Sequence, residues 1–77
     1  MNEKIQNLKD CGTILVFKVD EYRYIHAGYD ADGTYYIEAF YIGQSPDWHG
    51  EYDTAEEFEA ALLEEGDLSE WEETFLD

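Results

Sequence analysis

Apolar residues in this chain change their spacing three times, and each change marks an element. Ile5 and Leu8 lie three apart in an otherwise polar run ending at Gly12, which predicts a short helix over 2–10. Thr13-Ile14-Leu15-Val16-Phe17-Lys18-Val19 is nearly continuous and β-branched, as a well-buried strand requires. Asp20-Glu21 then reads as a tight turn and Tyr22 to Tyr29 as a second strand. Asp30-Ala31-Asp32-Gly33 is a hairpin signal, because glycine accepts the positive φ of a return turn. From Thr34 to Ile42 the alternation is strict. Tyr35, Ile37, Ala39 and Tyr41 share one face, and Tyr36, Glu38 and Phe40 share the other. Both faces carry aromatic rings, so one is expected beneath a helix and the other partly open for contact.

Gly43-Gln44-Ser45-Pro46-Asp47 breaks the pattern and reads as a loop. Thr54-Ala55-Glu56-Glu57 fits a helix-capping box, and the helix it opens runs to about Glu65. Ala55, Phe58, Ala61 and Leu62 form its apolar stripe, with Gly66 placed to end it. A second box, Ser69-Glu70-Trp71-Glu72, predicts a last short helix with Trp71 and Phe75 four apart. The expected fold class is α+β in the order αβββαα. It comprises a short N-terminal helix, a three-stranded antiparallel meander, an acidic C-terminal helix and a short last helix, in a single domain over 1–77.

Charge changes this picture most. The net charge is −16, and all four cations (Lys4, Lys9, Lys18, Arg23) precede residue 24. Residues 24–77 hold sixteen acids and no Lys or Arg, and thirteen of those acids fall in 47–77. Self-repulsion of this size opposes compaction, which a cationic partner would relieve. Direct binding to nucleic acid or to an anionic membrane is close to excluded on the same ground. Were most of 47–77 helical, it would run roughly 46 Å at about 1.5 Å per residue. Its spacing of about one carboxylate per 3.6 Å would then approach the about 3.4 Å between phosphates of one DNA strand. Nucleic-acid mimicry follows from that spacing; the bland counterpart is a solvated acidic face. Mimicry is favoured because acids without interleaved Lys or Arg forgo every i,i+4 ion pair.

Other chemistry is poorly supported. Asp30, Asp32 and Gly33 suggest a calcium loop, but glycine comes fourth rather than sixth, so no metal is expected. Cys11, His26 and His49 lack ligand or nucleophile spacing. Carboxylate pairs such as Glu56/Glu59 and Glu64/Glu65 arise by chance among twenty acids. The chain is therefore not expected to be an enzyme or to hold a cofactor. One cysteine and no long apolar run point to a reducing cytoplasm. With 17% aromatic residues, the chain has more rings than a small core can hide, and Tyr35 and Trp48 are candidates for partner contact.

Trp48-His49-Gly50-Glu51-Tyr52-Asp53-Thr54-Ala55-Glu56-Glu57-Phe58 resembles a segment of a small phage-encoded anti-CRISPR family that inhibits the type II effector nuclease. Asp32-Gly33-Thr34-Tyr35-Tyr36-Ile37 looks like that family's hairpin. The resemblance implies an αβββαα order and occupation of the site where arginines of the nuclease read a short DNA motif. It also implies partner contacts from Asp30, Asp32, Glu51, Asp53, Glu56 and Glu57 and a place in the cytoplasm of a bacterial host. Glu59 and Glu64, on the same acidic helix, complete the candidate set. The expected partner is a basic protein, either a nucleic-acid-binding nuclease or an effector complex, met by a monomer or small homo-oligomer. An immunity protein against a nuclease toxin, or a dimerisation module built on the Tyr-rich sheet, is the alternative.

Overall fold

The computed structural model describes residues 3–75. Its elements are α1 (Glu3–Asp10), β1 (Thr13–Lys18), β2 (Arg23–Tyr29), β3 (Tyr35–Tyr41), β4 (Trp48–Tyr52), α2 (Ala55–Glu65), a 3₁₀ turn at Leu68–Glu70, and β5 (Glu72–Phe75). The strands form one antiparallel sheet in the order β4-β3-β2-β1-β5.

The α+β class and the N-terminal helix stand, but the αβββαα order does not. The sheet has five strands rather than three, and one helix rather than two follows it. Residues 48–52 are a strand because Trp48, Gly50 and Tyr52 point to one face while His49 and Glu51 point to the other. In that register Tyr52 sits opposite Tyr35 and Trp48 opposite Ala39. The expected last helix is replaced by a single 3₁₀ turn. Its box is shifted: the backbone N–H of Asp67 donates to the Glu70 carboxylate at 3.0 Å, and Ser69 lies inside the turn. Beyond it, β5 pairs with β1, placing Thr13 opposite Phe75 and Val16 opposite Glu72. Pairing satisfies backbone groups on β1 that three strands would have left open along an apolar edge.

Both helices cover the same side of the sheet. Ile5 and Leu8 of α1, Phe58 and Leu62 of α2, and Trp71 are fully or almost fully buried. They pack with Leu15, Ile25, Ala27, Tyr35, Ile37 and Ala39 from the inner sheet face. Trp71 caps this core against Phe17, with ring centroids 5.1 Å apart. The Lys4 ammonium crosses the layer and donates to the carbonyls of Leu68 (2.7 Å) and Trp71 (2.8 Å), tying the last segment to the first helix.

The turns follow from their residues. Asp20 accepts the backbone N–H groups of Tyr22 and Arg23. Asp30 accepts those of Asp32 and Thr34, and Gly33 takes φ +87°. Thr54 caps α2 by accepting the Glu57 N–H at 3.2 Å. Gly66 closes α2 in an extended conformation (φ 175°), not the left-handed one expected of a glycine cap. Glycine is needed there for space instead: a Cβ would lie 2.6 Å from the Phe17 ring.

Candidate protein-binding surface

Over its described residues, 47–75, the acidic stretch is not a rod. It is divided among β4, α2, the 3₁₀ turn and β5, and the Cα trace measures 30 × 25 × 23 Å. Helical spacing therefore governs only the 11 residues of α2, about 16 Å at about 1.5 Å per residue. Linear matching to a phosphate backbone over roughly 46 Å is ruled out by this geometry.

The candidate residues fall in three places. The first is one end of the sheet, where the β2–β3 turn, the end of β4 and the first turn of α2 converge. The register sets Tyr29, Tyr35 and Tyr52 side by side, and Phe58 of α2 stacks on Tyr35 at 4.8 Å. Asp30, Asp32, Asp53, Glu56 and Glu57 are carried to this end. Two of them already have internal work, because Asp30 holds the turn and Glu57 accepts the Thr54 hydroxyl at 3.2 Å. Asp32, Asp53 and Glu56 are exposed. Tyr35 is 7% exposed and belongs to the core, so it is not available to a partner.

The second place is the outer sheet face, where Glu51 lies. Alternation puts Val16, Tyr24, His26, Tyr36, Glu38, Phe40, His49, Glu51 and Glu72 on this side, opposite both helices. The rings shield one another. Phe40 meets His26 edge-on at 4.7 Å and stacks on Tyr24 at 6.2 Å, while Tyr36 stacks on His49 at 6.4 Å. His49 bridges two carboxylates, with Nδ1 3.2 Å from Glu38 and Nε2 3.2 Å from Glu51. Partial burial, opposed by the Glu38 charge, pulls the His26 imidazole below its ordinary pKa. Burial, reinforced by the charges of Glu38 and Asp30, raises the Tyr36 phenol. The face thus combines half-buried rings with carboxylates, a chemistry suited to cations rather than to phosphates. Alternation in β3 already signals Tyr36, Glu38 and Phe40; the sequence pattern assigns 48–52 to no element, so it does not place His49 on this face.

The third place is α2 and its flank. Glu59 is partly covered, and Glu64 is exposed near the C-terminal end of the helix, on the side where Trp48 stands 49% exposed. Four cations offset few of the twenty acids; Lys18 is exposed on the outer sheet face opposite Tyr24. Lys9 lies over the Tyr29 ring at 5.6 Å, and Arg23 makes paired bonds to Asp47 at 3.0 and 3.1 Å while stacking on Tyr41. The Arg23 guanidinium holds the Asp47 carboxyl below the usual carboxylate range.

Among the described residues, no group of three or more His, Cys, Asp and Glu side chains is placed to hold a metal ion. Cys11 is exposed after α1 on the helix side, whereas His26 and His49 occupy the outer sheet face. No described helix is long and apolar enough to cross a membrane. Comparison with known proteins yields no match: no family model, no curated protein and no solved structure is significantly similar to this chain.

Proposed function

We propose that this chain is a non-catalytic binding protein that occupies the basic, nucleic-acid-binding surface of a protein partner and so acts as an inhibitor. One observation carries the reading. Asp30, Asp32, Asp53, Glu56 and Glu57 come from a turn, a strand end and a helix start that converge at one end of the sheet, in a chain whose last cation is Arg23. A local array of this kind supplies charge steering and register, and exposed aromatic side chains supply short-range energy. Mimicry in this form is of a few neighbouring phosphates, not of an extended strand. The resemblance to phage anti-CRISPR inhibitors names a type II effector nuclease as the first target to try. Edge-to-edge homodimerisation is disfavoured, since the edge strands β4 and β5 present Glu51, Glu72 and Glu73.

The test is capture from a bacterial lysate on immobilised protein, followed by elution with salt or with duplex DNA. Nucleic-acid-binding proteins released by DNA, and lost with Asp32→Lys/Glu56→Lys, are the expected result. Neither substitution removes a side chain that holds the turn or the helix cap. Retention insensitive to both salt and DNA would refute the assignment.

A further inference from the structure

A cleft of about 390 Å³ opens between the C-terminal half of α2 and the inner sheet face at the far end from Asp32. It exists because small side chains face each other across the layers: Ala61 on the helix and Ala39 on β3. Val19, Trp48, Tyr52 and Ala61 wall it, Ile25, Ile37 and Ala39 lie at its base with no more than 6% exposure each, and Glu64 and Glu65 stand at its lip. Its volume falls in the range of about 300–1,000 Å³ typical of ligand sites.

Three features fix what fits. Five of the seven exposed large hydrophobic residues are Val19, Tyr22, Tyr41, Ile42 and Trp48. They gather at this end because the Ile42 N–H donates to the Tyr22 carbonyl at 2.7 Å, joining the ends of two hairpin segments. In so charged a molecule, that concentration marks a contact surface. Next, the last turn of α2 has no basic residue, so Glu64 and Glu65 add to the negative end of the helix dipole. Finally, Arg23 also lines the cleft, but its charge is committed to Asp47 and its face to Tyr41. The lip is thus left anionic over an apolar floor.

We propose that this cleft receives one long cationic side chain, arginine or lysine, from the protein partner. Its alkyl stem would lie between Val19, Ala61 and Trp48, above the buried Ile25, Ile37 and Ala39, and its charge would meet Glu64, Glu65 and the face of Trp48. A neutral apolar side chain would fill the cleft but leave the carboxylates uncompensated, and an acidic one would be repelled. The inference rests on the proposed function and adds an anchoring point remote from the acidic end of the sheet.

The experiment follows backbone amides and the Trp48 indole N–H by NMR while adding blocked tripeptides Gly-Xaa-Gly, where Xaa is lysine, arginine or norleucine. Lysine and arginine should shift Trp48, Ala39 and Ala61 together and saturate; norleucine, with a stem and no charge, should not. Glu64→Gln/Glu65→Gln should weaken cationic peptide binding severalfold with an otherwise unchanged spectrum, whereas Asp53→Asn/Glu56→Gln should leave it intact. Shifts confined to the outer sheet face, equal response to norleucine, or undiminished binding by Glu64→Gln/Glu65→Gln would each overturn the cleft assignment. The two readings separate in the lysate experiment. Capture that DNA reverses but Glu64→Gln/Glu65→Gln leaves unchanged sinks the cleft alone. Absence of any DNA-reversible capture, with peptides still seated at Trp48, sinks the inhibitor reading alone.

Discussion

Gly28 leaves no room for a methyl group: a Cβ there would sit 2.7 Å from the Tyr36 hydroxyl oxygen and 2.9 Å from its ring. Tyr36 lies over the β2 backbone in the outer face, so this strand glycine is set by close approach rather than by a turn, as is Gly50 in β4 beneath the Trp48 ring. Gly28→Ala is therefore expected to cost about 1 kcal/mol through displacement of the ring. Most of that loss should vanish in a Tyr36→Ala background, as a denaturation cycle would show; equal losses in both backgrounds would argue against the contact. On the same face, His26 makes the protein sensitive to acid. Its folded-state pKa is depressed, chiefly by burial, below the ordinary 6.5, so the unfolded chain binds its proton first. The stability it contributes is present above 6.5 and declines as pH falls from there toward the folded value. NMR titration of the imidazole should give a midpoint below 6.5, and His26→Gln should remove that segment of the stability profile. A midpoint above 6.5 would mean that Glu38 outweighs burial.

At the scale of elements, the last segment matters more than its sequence suggests. Trp71 is 0% exposed, and its indole N–H has no hydrogen-bond partner among the described residues. Trp71→Ala should cost about 3–5 kcal/mol, a large part of the about 5–15 kcal/mol that holds a typical domain folded. Trp71→Phe should cost much less, since it keeps an aromatic ring against Phe17 and removes an orphaned donor worth about 1–3 kcal/mol. Urea midpoints rank the two, and equal losses would mean that the indole N–H is satisfied after all. Thr54→Ala tests α2 separately, with an expected loss of about 1 kcal/mol from the uncapped Glu57 N–H. These elements differ in how far they were legible. The capping box and apolar stripe of α2 are local, and the helix formed where they placed it. Ser69-Glu70-Trp71-Glu72 carries equally good local signals, yet the chain there turns once and becomes β5. Helix would have left Trp71 without Phe17 and the outer edge of β1 without a partner, and those gains lie outside any local window.

The whole molecule carries its −16 on a Cα trace whose longest dimension is 30 Å. Repulsion among carboxylates should make the fold more stable as salt rises, while association with a basic partner weakens. Thermal midpoints in increasing sodium or potassium chloride should therefore climb, by roughly 4–8 °C for each kcal/mol of repulsion screened in a chain this size. A midpoint indifferent to salt would mean that the carboxylates are too dispersed to repel one another, and would weaken the case for a charged docking end. Binding and folding thus respond to salt in opposite directions, a signature that a merely solvated surface lacks.

Local information settled α1, the two β-turns held by Asp20 and Asp30, the inner and outer faces of β3, and the capped start of α2. Each depends on contacts within a few residues or on strict alternation. Net charge is likewise a property of composition. Long-range pairing decided the rest: β4 and β5 became strands because β3 and β1 offered open edges, and an acidic stretch expected to be mostly helical was divided into four elements. Folding also sorted the candidate residues, sending Tyr35 inward, gathering Asp32, Asp53 and Glu56 at one end, and leaving a cleft between Ala39 and Ala61. Backbone hydrogen bonding and the fit of side chains across layers act between residues far apart in the chain, so their outcome becomes visible once the layers are assembled.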